Sequence, residues 1–145
     1  MKEQIARWVI GHRIESLVVS GDYDLALGET PGNVPGPPPH YHTQLNEVFL
    51  VTEGEMEFMV NGETKVVRAG GSVDLPPNTL HTFANKTDQP CKWVNIHSPK
   101  GFASFFEEFG IPEQEADAMQ RSVNGELIQQ VMERAADFDM HIKMS

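Results

Sequence analysis

His40, His42 and Glu47 are spaced as HxHxxxxE, and His81 follows later in the chain after a Gly/Pro turn. Side chains at positions i and i+2 of a β-strand point to the same face, so His40 and His42 can aim both imidazoles into one interior. Glu47 can join them from the next strand after a turn. Three neutral imidazoles and one carboxylate form a donor set that suits a divalent first-row metal: Fe, Mn, Ni, Cu, Co or Zn. Such an ion keeps one or two open positions for water, dioxygen or a chelating substrate.

The residues around these side chains have the pattern of short β-strands. Between residues 5 and 96, alternating or β-branched runs are separated by turn residues, which is typical of an all-β sandwich or barrel. Asn61 and Gly62 predict a type I′ hairpin turn between strands at 55–60 and 63–68. Further strands are predicted at 6–10, 13–19, 23–28, 47–53, 72–75, 81–84 and 91–96. Residues 31–39 contain five prolines and two glycines, which predict an extended loop leading to His40.

From residue 98 onwards the hydrophobic period becomes helical. Four phenylalanines at i, i+3, i+4 and i+7 line one predicted helix face: Phe102, Phe105, Phe106 and Phe109. Gly110 fits a helix stop and Pro112 can begin a second short helix. A further helical stripe follows at Leu127, Ile128, Val131, Met132 and Ala135. We therefore predict a barrel over residues 1–100 and C-terminal helices over 101–145, packed on the barrel or on a dimer partner.

Composition and charge restrict the class of protein. The 145 residues have a net charge of −10, which opposes binding to nucleic acid and to anionic membrane surfaces. No apolar run approaches the roughly 20 residues of a membrane span. The single cysteine, Cys91, cannot form an internal disulfide, and Lys2, Glu3 and Arg7 interrupt any secretory signal. We expect a cytoplasmic, globular domain that binds a small molecule.

Two motifs resemble those of the cupin superfamily. The run from Gly36 to Glu47, GPPPHYHTQLNE, followed by Gly54, resembles the first cupin motif. The second is matched in order by Gly70, Pro76, His81 and Asn85. The segment SPKGFASFF from residue 98 resembles small single-domain cupins related to quercetin 2,3-dioxygenase. This resemblance implies a double-stranded β-helix, or jelly-roll barrel, with the metal bound in its mouth by His40, His42, Glu47 and His81.

Two positions depart from the family pattern. Val34 stands where the first motif usually has a glycine, and Asn78 replaces the usual glycine after the second motif's proline. Asparagine tolerates the left-handed backbone region better than most residues, so the turn is expected to form. These differences affect the expected loop shapes and leave the metal ligands unchanged.

The resemblance favours a metal-dependent dioxygenase or related oxidoreductase acting on a small aromatic or enolic substrate with O2. In similar enzymes the glutamate leaves or shares the ligand set to take a substrate proton, which makes Glu47 the candidate catalytic residue. An alternative keeps the metal as a Lewis acid for isomerisation, decarboxylation or hydrolysis. A third hypothesis is a non-enzymatic cupin that binds a metal or small molecule, because a fold does not determine a function.

Four apolar side chains and one histidine are candidates for the substrate pocket. Strand alternation and position select five candidate substrate-binding residues: Phe49, Met56, Phe58, Phe83 and His97. His12 and His141 are interpreted as surface or packing residues. Exposed sheet edges and an apolar helix stripe lead us to expect a homodimer.

Overall fold

The computed structural model describes residues 5–143, and this part of the chain consists mainly of β-strands. The strands are β1 (Ala6–Val9), β2 (His12–Leu17), β3 (Asp24–Thr30), β4 (His40–Tyr41), β5 (Asn46–Glu53), β6 (Glu55–Val60), β7 (Glu63–Arg68), β8 (Ser72–Leu75), β9 (His81–Ala84), β10 (Cys91–Ser98), β11 (Ile111–Pro112) and β12 (His141–Ile142). The helices are α1 (Ala103–Phe109), α2 (Ala118–Ser122), α3 (Gly125–Arg134) and a 3₁₀ helix (Ala135–Phe138). The predicted barrel begins at residue 1 and the predicted helical part ends at residue 145, and both of these ends lie outside the described residues. Among residues 5–143 no helix combines the length and apolar character that crossing a membrane requires.

The strands form two antiparallel sheets. The larger sheet has the order β11-β1-β2-β3-β10-β5-β8, and the smaller has the order β12-β4-β9-β6-β7. Alternate side chains of the two sheets meet in one hydrophobic core, where the rings of Phe49 and Phe58 are 5.1 Å apart. This arrangement confirms the predicted all-β barrel with a C-terminal helical appendage. It also places His40 and His81 in the smaller sheet and Glu47 in the larger one.

The predicted hairpin is present, and two predicted strands are longer than expected. Asn61 and Gly62 have φ angles of 50° and 86°, as a type I′ turn requires. Strand β3 continues to Thr30, which pairs with Cys91 of β10, and β10 continues to Ser98, which pairs with Asn46 of β5. The extension of β10 places His97 directly opposite Glu47. His97, which the prediction placed one residue beyond the strand, is thus part of the barrel interior.

Helix α1 packs its phenylalanine stripe on its own barrel. Phe102, which precedes the helix, and the three helical phenylalanines are only 3–8% exposed. The sequence left open whether a second subunit covers this stripe, and the structure shows that the same chain covers it. The stripe therefore supplies no dimer surface, and the homodimer stays a prediction.

The start of the C-terminal tail differs from the prediction. Pro112 begins no helix, because it lies in β11 opposite Arg7 and extends the larger sheet. Gly110 does follow α1, but its φ of −81° is not the left-handed value of a glycine stop. A Cβ at Gly110 would collide with the carbonyl oxygen of Phe106, so close packing explains the glycine. Strand β12 pairs with β4, so the tail contributes a strand to each sheet.

Asn85 fastens the start of the proline loop. Its side chain is 1% exposed, and its Nδ2 donates to the carbonyls of Thr30, Pro31 and Gln89 at 3.1, 3.2 and 2.7 Å. These bonds tie the end of β3 to the turn between β9 and β10. Because the proline loop runs from this point to His40, Asn85 fixes one end of the segment that delivers a candidate ligand.

We predict that Asn85→Ala lowers the free energy of unfolding by about 3 kcal/mol, because three carbonyls lose the buried amide that donates to them. Chemical denaturation measured by circular dichroism tests this. Lys86→Ala is the matched control: Lys86 is exposed, and its ion pair with Glu57 should contribute less than about 1 kcal/mol. Equal stability of Asn85→Ala and Lys86→Ala would contradict the anchoring role.

Candidate metal centre

The four predicted ligands, here called the ligand cluster, meet between the two sheets. His40 of β4 and His81 of β9 are opposite each other in the smaller sheet. Glu47 reaches them from β5 of the larger sheet, and His42 comes from the residue after β4. All four side chains are buried. The structure therefore brings together residues from three strands and one loop, as the spacing in the sequence predicts.

The ligand atoms of the cluster converge closely. One candidate ligand atom from each residue lies within 4.8 Å of the other three. Nε2 of His81 is 3.0 Å from Glu47 Oε1, and Nε2 of His42 is 3.3 Å from the same oxygen. Donor atoms this close to one another suit binding of a single ion.

Backbone carbonyls orient the three imidazoles. Each histidine makes a hydrogen bond through Nδ1, and each uses a different carbonyl oxygen. The pairs are His40 with Pro38 at 2.9 Å, His42 with Asp139 at 2.7 Å and His81 with Thr79 at 2.9 Å. A carbonyl oxygen only accepts, so a neutral imidazole in this position carries its proton on Nδ1. The lone pair on each Nε2 is then free to bind a metal.

Glu47 is held as a carboxylate with one oxygen free. Nδ2 of Asn95 donates to Oε2 at 2.7 Å, which fixes the side chain and leaves Oε1 facing the histidines. Burial alone would raise the pKa of Glu47, but His97, His42 and His81 outweigh it and hold that pKa well below its usual value. Glu47 therefore supplies a negative charge to the cluster.

The cluster fits a metal ion because its inward-facing atoms lack other partners. Nε2 of His42, Nε2 of His81 and Oε1 of Glu47 are buried and make no hydrogen bond within residues 5–143. Buried polar atoms without partners are costly and rare. Burial and the neighbouring His81 lower the pKa of His40 to about 3, so this imidazole is neutral at physiological pH, as a metal ligand must be. One divalent ion bound to the cluster would satisfy all of these groups.

The C-terminal tail completes the support of His42. Asp139, whose carbonyl accepts from His42, has a left-handed backbone with φ of 59°. Its carboxylate accepts from the amide of Thr43 at 3.0 Å, the amide of Gln44 at 2.8 Å and Nε2 of His141 at 2.9 Å. Burial opposes ionisation, but these donors, led by Thr43, lower the pKa of Asp139 to about 2. The tail is thus fastened to the loop that follows β4.

A small apolar cavity adjoins the ligand cluster. Its volume is about 60 Å³, and His40, His42 and Glu47 form part of its wall. Aromatic side chains form much of the remainder: Phe49, Phe83, Trp93, Phe102, Phe105 and Phe106. Pockets for drug-sized ligands are typically about 300 to 1,000 Å³, so this one suits a compact molecule. No lysine or arginine within residues 5–143 lines it.

The predicted substrate-binding residues fall into two groups. Phe49, Phe83 and His97 line the cavity. Met56 and Phe58 are 1% and 0% exposed, and they pack in the core outside the cavity lining. His97 lies 3.3 Å from Glu47 Oε2 through Nε2, so it contacts the carboxylate as well as the cavity.

Sequence reasoning missed several residues of the site. Asn95 lies two positions before His97 on β10, and strand alternation from His97 could have identified it. Phe102 was interpreted as packing, but its ring stacks on His97 at 4.4 Å and lines the cavity. Asp139 gave no signal, because its contact with His42 spans 97 residues. His12, interpreted as a surface or packing residue, is buried in the same cavity wall.

Comparison with known proteins agrees with this geometry. The family model described as "Cupin domain" matches residues 17–97. A quercetin 2,3-dioxygenase of Bacillus subtilis is 30% identical over 73 residues, which are 50% of this chain and 21% of that protein. A protein named polyketide synthase CurC of Streptomyces cyaneus is 35% identical over 60 residues, which are 41% of this chain and 39% of that protein. The chain thus spans about a fifth to two fifths of the length of these curated relatives.

A solved structure supports the fold. The RmlC-like cupin of Shewanella frigidimarina superimposes with a TM-score of 0.59 at 20% identity, covering 68% of this chain and 86% of that one. At this identity the likeness concerns the arrangement of strands alone.

Asp139→Ala is expected to weaken metal binding by about 10- to 100-fold. The substitution removes the carboxylate that accepts from Thr43 and Gln44 and strains the left-handed backbone, so the main-chain carbonyl of residue 139 is no longer held against His42. The dissociation constant for Co2+ or Zn2+, measured by competition with a chromophoric chelator, tests this. Asp139→Asn should retain most of the affinity, since asparagine tolerates the left-handed backbone and keeps a side-chain acceptor. Asp137→Ala, at an exposed position on the 3₁₀ helix that precedes Asp139, is the matched control. Unchanged affinity in Asp139→Ala would show that the tail does not support the cluster.

Proposed function

The chain belongs to the cupin domain family, and from this premise we propose that it is a metal-dependent oxidoreductase of the dioxygenase type. Its substrate on this proposal is a small aromatic or enolic molecule, with O2 as the second substrate. The observation that carries the proposal is the convergence of three imidazoles and one carboxylate beside an apolar, aromatic-lined cavity. The quercetin 2,3-dioxygenase among the relatives supports the same class of reaction.

The ligand cluster determines what a bound ion can do. His40, His42, Glu47 and His81 would hold the ion, and a divalent first-row metal supplies Lewis acidity and, except for zinc, accessible redox states. Four protein ligands leave space for a substrate oxygen on the cavity side. Phenolic and enolic oxygens are suitable because they deprotonate readily next to a cation.

Glu47 is the group that can accept the substrate proton. Its carboxylate is ionised, and only Oε2 is engaged by Asn95. Oε1 lies among the cluster atoms, where it would be a ligand of the bound ion. On leaving or sharing that position it could take the proton of a substrate whose oxygen approaches from the cavity. A buried carboxylate in this position can act as a general base when the enol or phenol is bound.

The cavity walls control which molecules react. Phe49, Phe83 and Phe102 surround the approach with ring faces and edges, which exclude water and accommodate a flat substrate. The volume of about 60 Å³ favours a single compact ring or an enediol over a flavonol. The absence of lysine and arginine from the described lining disfavours phosphorylated substrates, which require a cationic clamp.

Oxygen uptake tests the proposed reaction. Protein purified without chelator and loaded in turn with Fe2+, Mn2+, Ni2+, Cu2+, Co2+ or Zn2+ is placed in an oxygen electrode with catechols, enediols and a flavonol. We expect at least one redox-active metal to support substrate-dependent uptake, and Zn2+ to support none. His81→Ala and Glu47→Gln should reduce the rate at least about 100-fold through loss of a ligand and of the base.

Glu63→Gln is the matched control for Glu47→Gln, because Glu63 is exposed in β7 and should leave the rate unchanged. Turnover that proceeds under strict anaerobiosis, at equal rates with Zn2+, would contradict the dioxygenase proposal and favour an isomerase or decarboxylase. Thermal stabilisation by a substrate that is never converted would also contradict it and favour a binding role.

A further inference from the structure

His12 is a polar residue in the cavity wall that the proposed reaction does not use. It is the first residue of β2, and its side chain is 3% exposed. The imidazole lies edge-on to Phe83, with 5.2 Å between ring centroids, and faces the same cavity as the ligand cluster. It is not among the residues whose ligand atoms converge within 4.8 Å. The cavity therefore has a polar position on β2, apart from the cluster and from Asn95 and His97 of β10.

Thr30 and Trp93 determine where the ring proton of His12 lies. The indole Nε1 of Trp93 donates to Oγ1 of Thr30 at 2.9 Å, and the indole nitrogen can only donate. The same Oγ1 lies 2.9 Å from Nδ1 of His12. Trp93 occupies one acceptor position of the Thr30 hydroxyl, and the hydroxyl proton is available for Nδ1 of His12. We assign the proton to this bond, which places the imidazole proton on Nε2, the opposite of the arrangement in the ligand cluster.

Nε2 of His12 has no partner in the protein. It is buried and makes no hydrogen bond to any atom of residues 5–143. Burial lowers the pKa of His12 to about 4, so the ring is neutral at physiological pH; the nearby Pro35 carbonyl opposes this shift in part but is not within hydrogen-bond geometry of Nε2. A neutral N–H donor is thus left unsatisfied in the cavity wall. Buried donors of this kind are rare unless a ligand or water accepts from them.

We propose that His12 is a substrate-binding residue whose Nε2–H donates to a second oxygen of the substrate, away from the oxygen that reaches the ligand cluster. This inference rests on the proposed function for the position of the first oxygen. The substrate class is a compact enol or phenol with an additional uncharged carbonyl group. An uncharged acceptor is favoured over a carboxylate, because no lysine or arginine of the described residues lines the cavity to balance a second negative charge.

Two catechols that differ only in a distal oxygen test this role. The probes are 4-methylcatechol and 3,4-dihydroxybenzaldehyde, and their dissociation constants for Zn2+-loaded protein are measured by titration calorimetry. The ratio of the two constants in the wild type is compared with the ratio in His12→Leu, so that the different acidities of the catechols cancel. We expect the preference for the aldehyde to fall about tenfold in His12→Leu, with 4-methylcatechol affinity and zinc content unchanged. His12→Gln, which retains a side-chain N–H donor, should restore part of the preference.

A measurement on the wild type covers the case in which His12→Leu does not fold. The Nε2–H proton of His12 should shift downfield in the proton NMR spectrum with the aldehyde and remain in place with 4-methylcatechol. An unchanged ratio in His12→Leu, an unchanged Nε2–H resonance, or binding of neither catechol would overturn the inference. These binding assays consume no oxygen. If His12 recognises the aldehyde and the oxygen-uptake test still fails, the dioxygenase proposal is contradicted and the role of His12 in binding stands.

Discussion

The hydrogen bonds between three backbone carbonyls and the ligand histidines are the interactions on which the site depends. They assign the imidazole protons to Nδ1 and leave the Nε2 lone pairs directed at Glu47. Without them each ring could rotate or carry its proton on Nε2, and the Nε2 atoms would not be held toward Glu47. The carbonyls therefore orient the four side chains as a metal site requires.

Two connecting segments and the C-terminal tail position these three carbonyls. Pro38 lies in the proline loop, Thr79 lies in the turn before β9, and Asp139 lies in the C-terminal tail. The proline loop is stiff and fastened at its start by Asn85, which restricts where its last carbonyls can lie. Asp139 is fixed by donors from the loop after His42. Three connections far apart in the sequence thus converge on one layer of histidines.

Local pattern predicted the barrel and the grouping of the four cluster side chains, because strands and turns follow from short-range rules. The alternation of β-strands brings His40, His42 and Glu47 to one interior, and the Asn61–Gly62 turn has the geometry its residues require. The support of the ligand histidines and the surroundings of His12 depend on long-range contacts, which leave no local pattern in the sequence. Asp139 supports His42 across 97 residues. His12 resembles any histidine on a strand until the fold places Thr30 beside it.

The tautomers of the three cluster histidines and of His12 can be observed directly. Long-range 1H–15N correlation spectra of the protein with one equivalent of Zn2+ at pH 7.5 are expected to show His40, His42 and His81 with the proton on Nδ1 and the metal on Nε2, and His12 as the Nε2–H tautomer. Adding Zn2+ to the metal-free protein should shift the Nε2 resonances of the first three and leave His12 unchanged. Nε2–H tautomers or imidazolium ions at the three ligand positions, or a Zn2+ response that includes His12, would contradict the account.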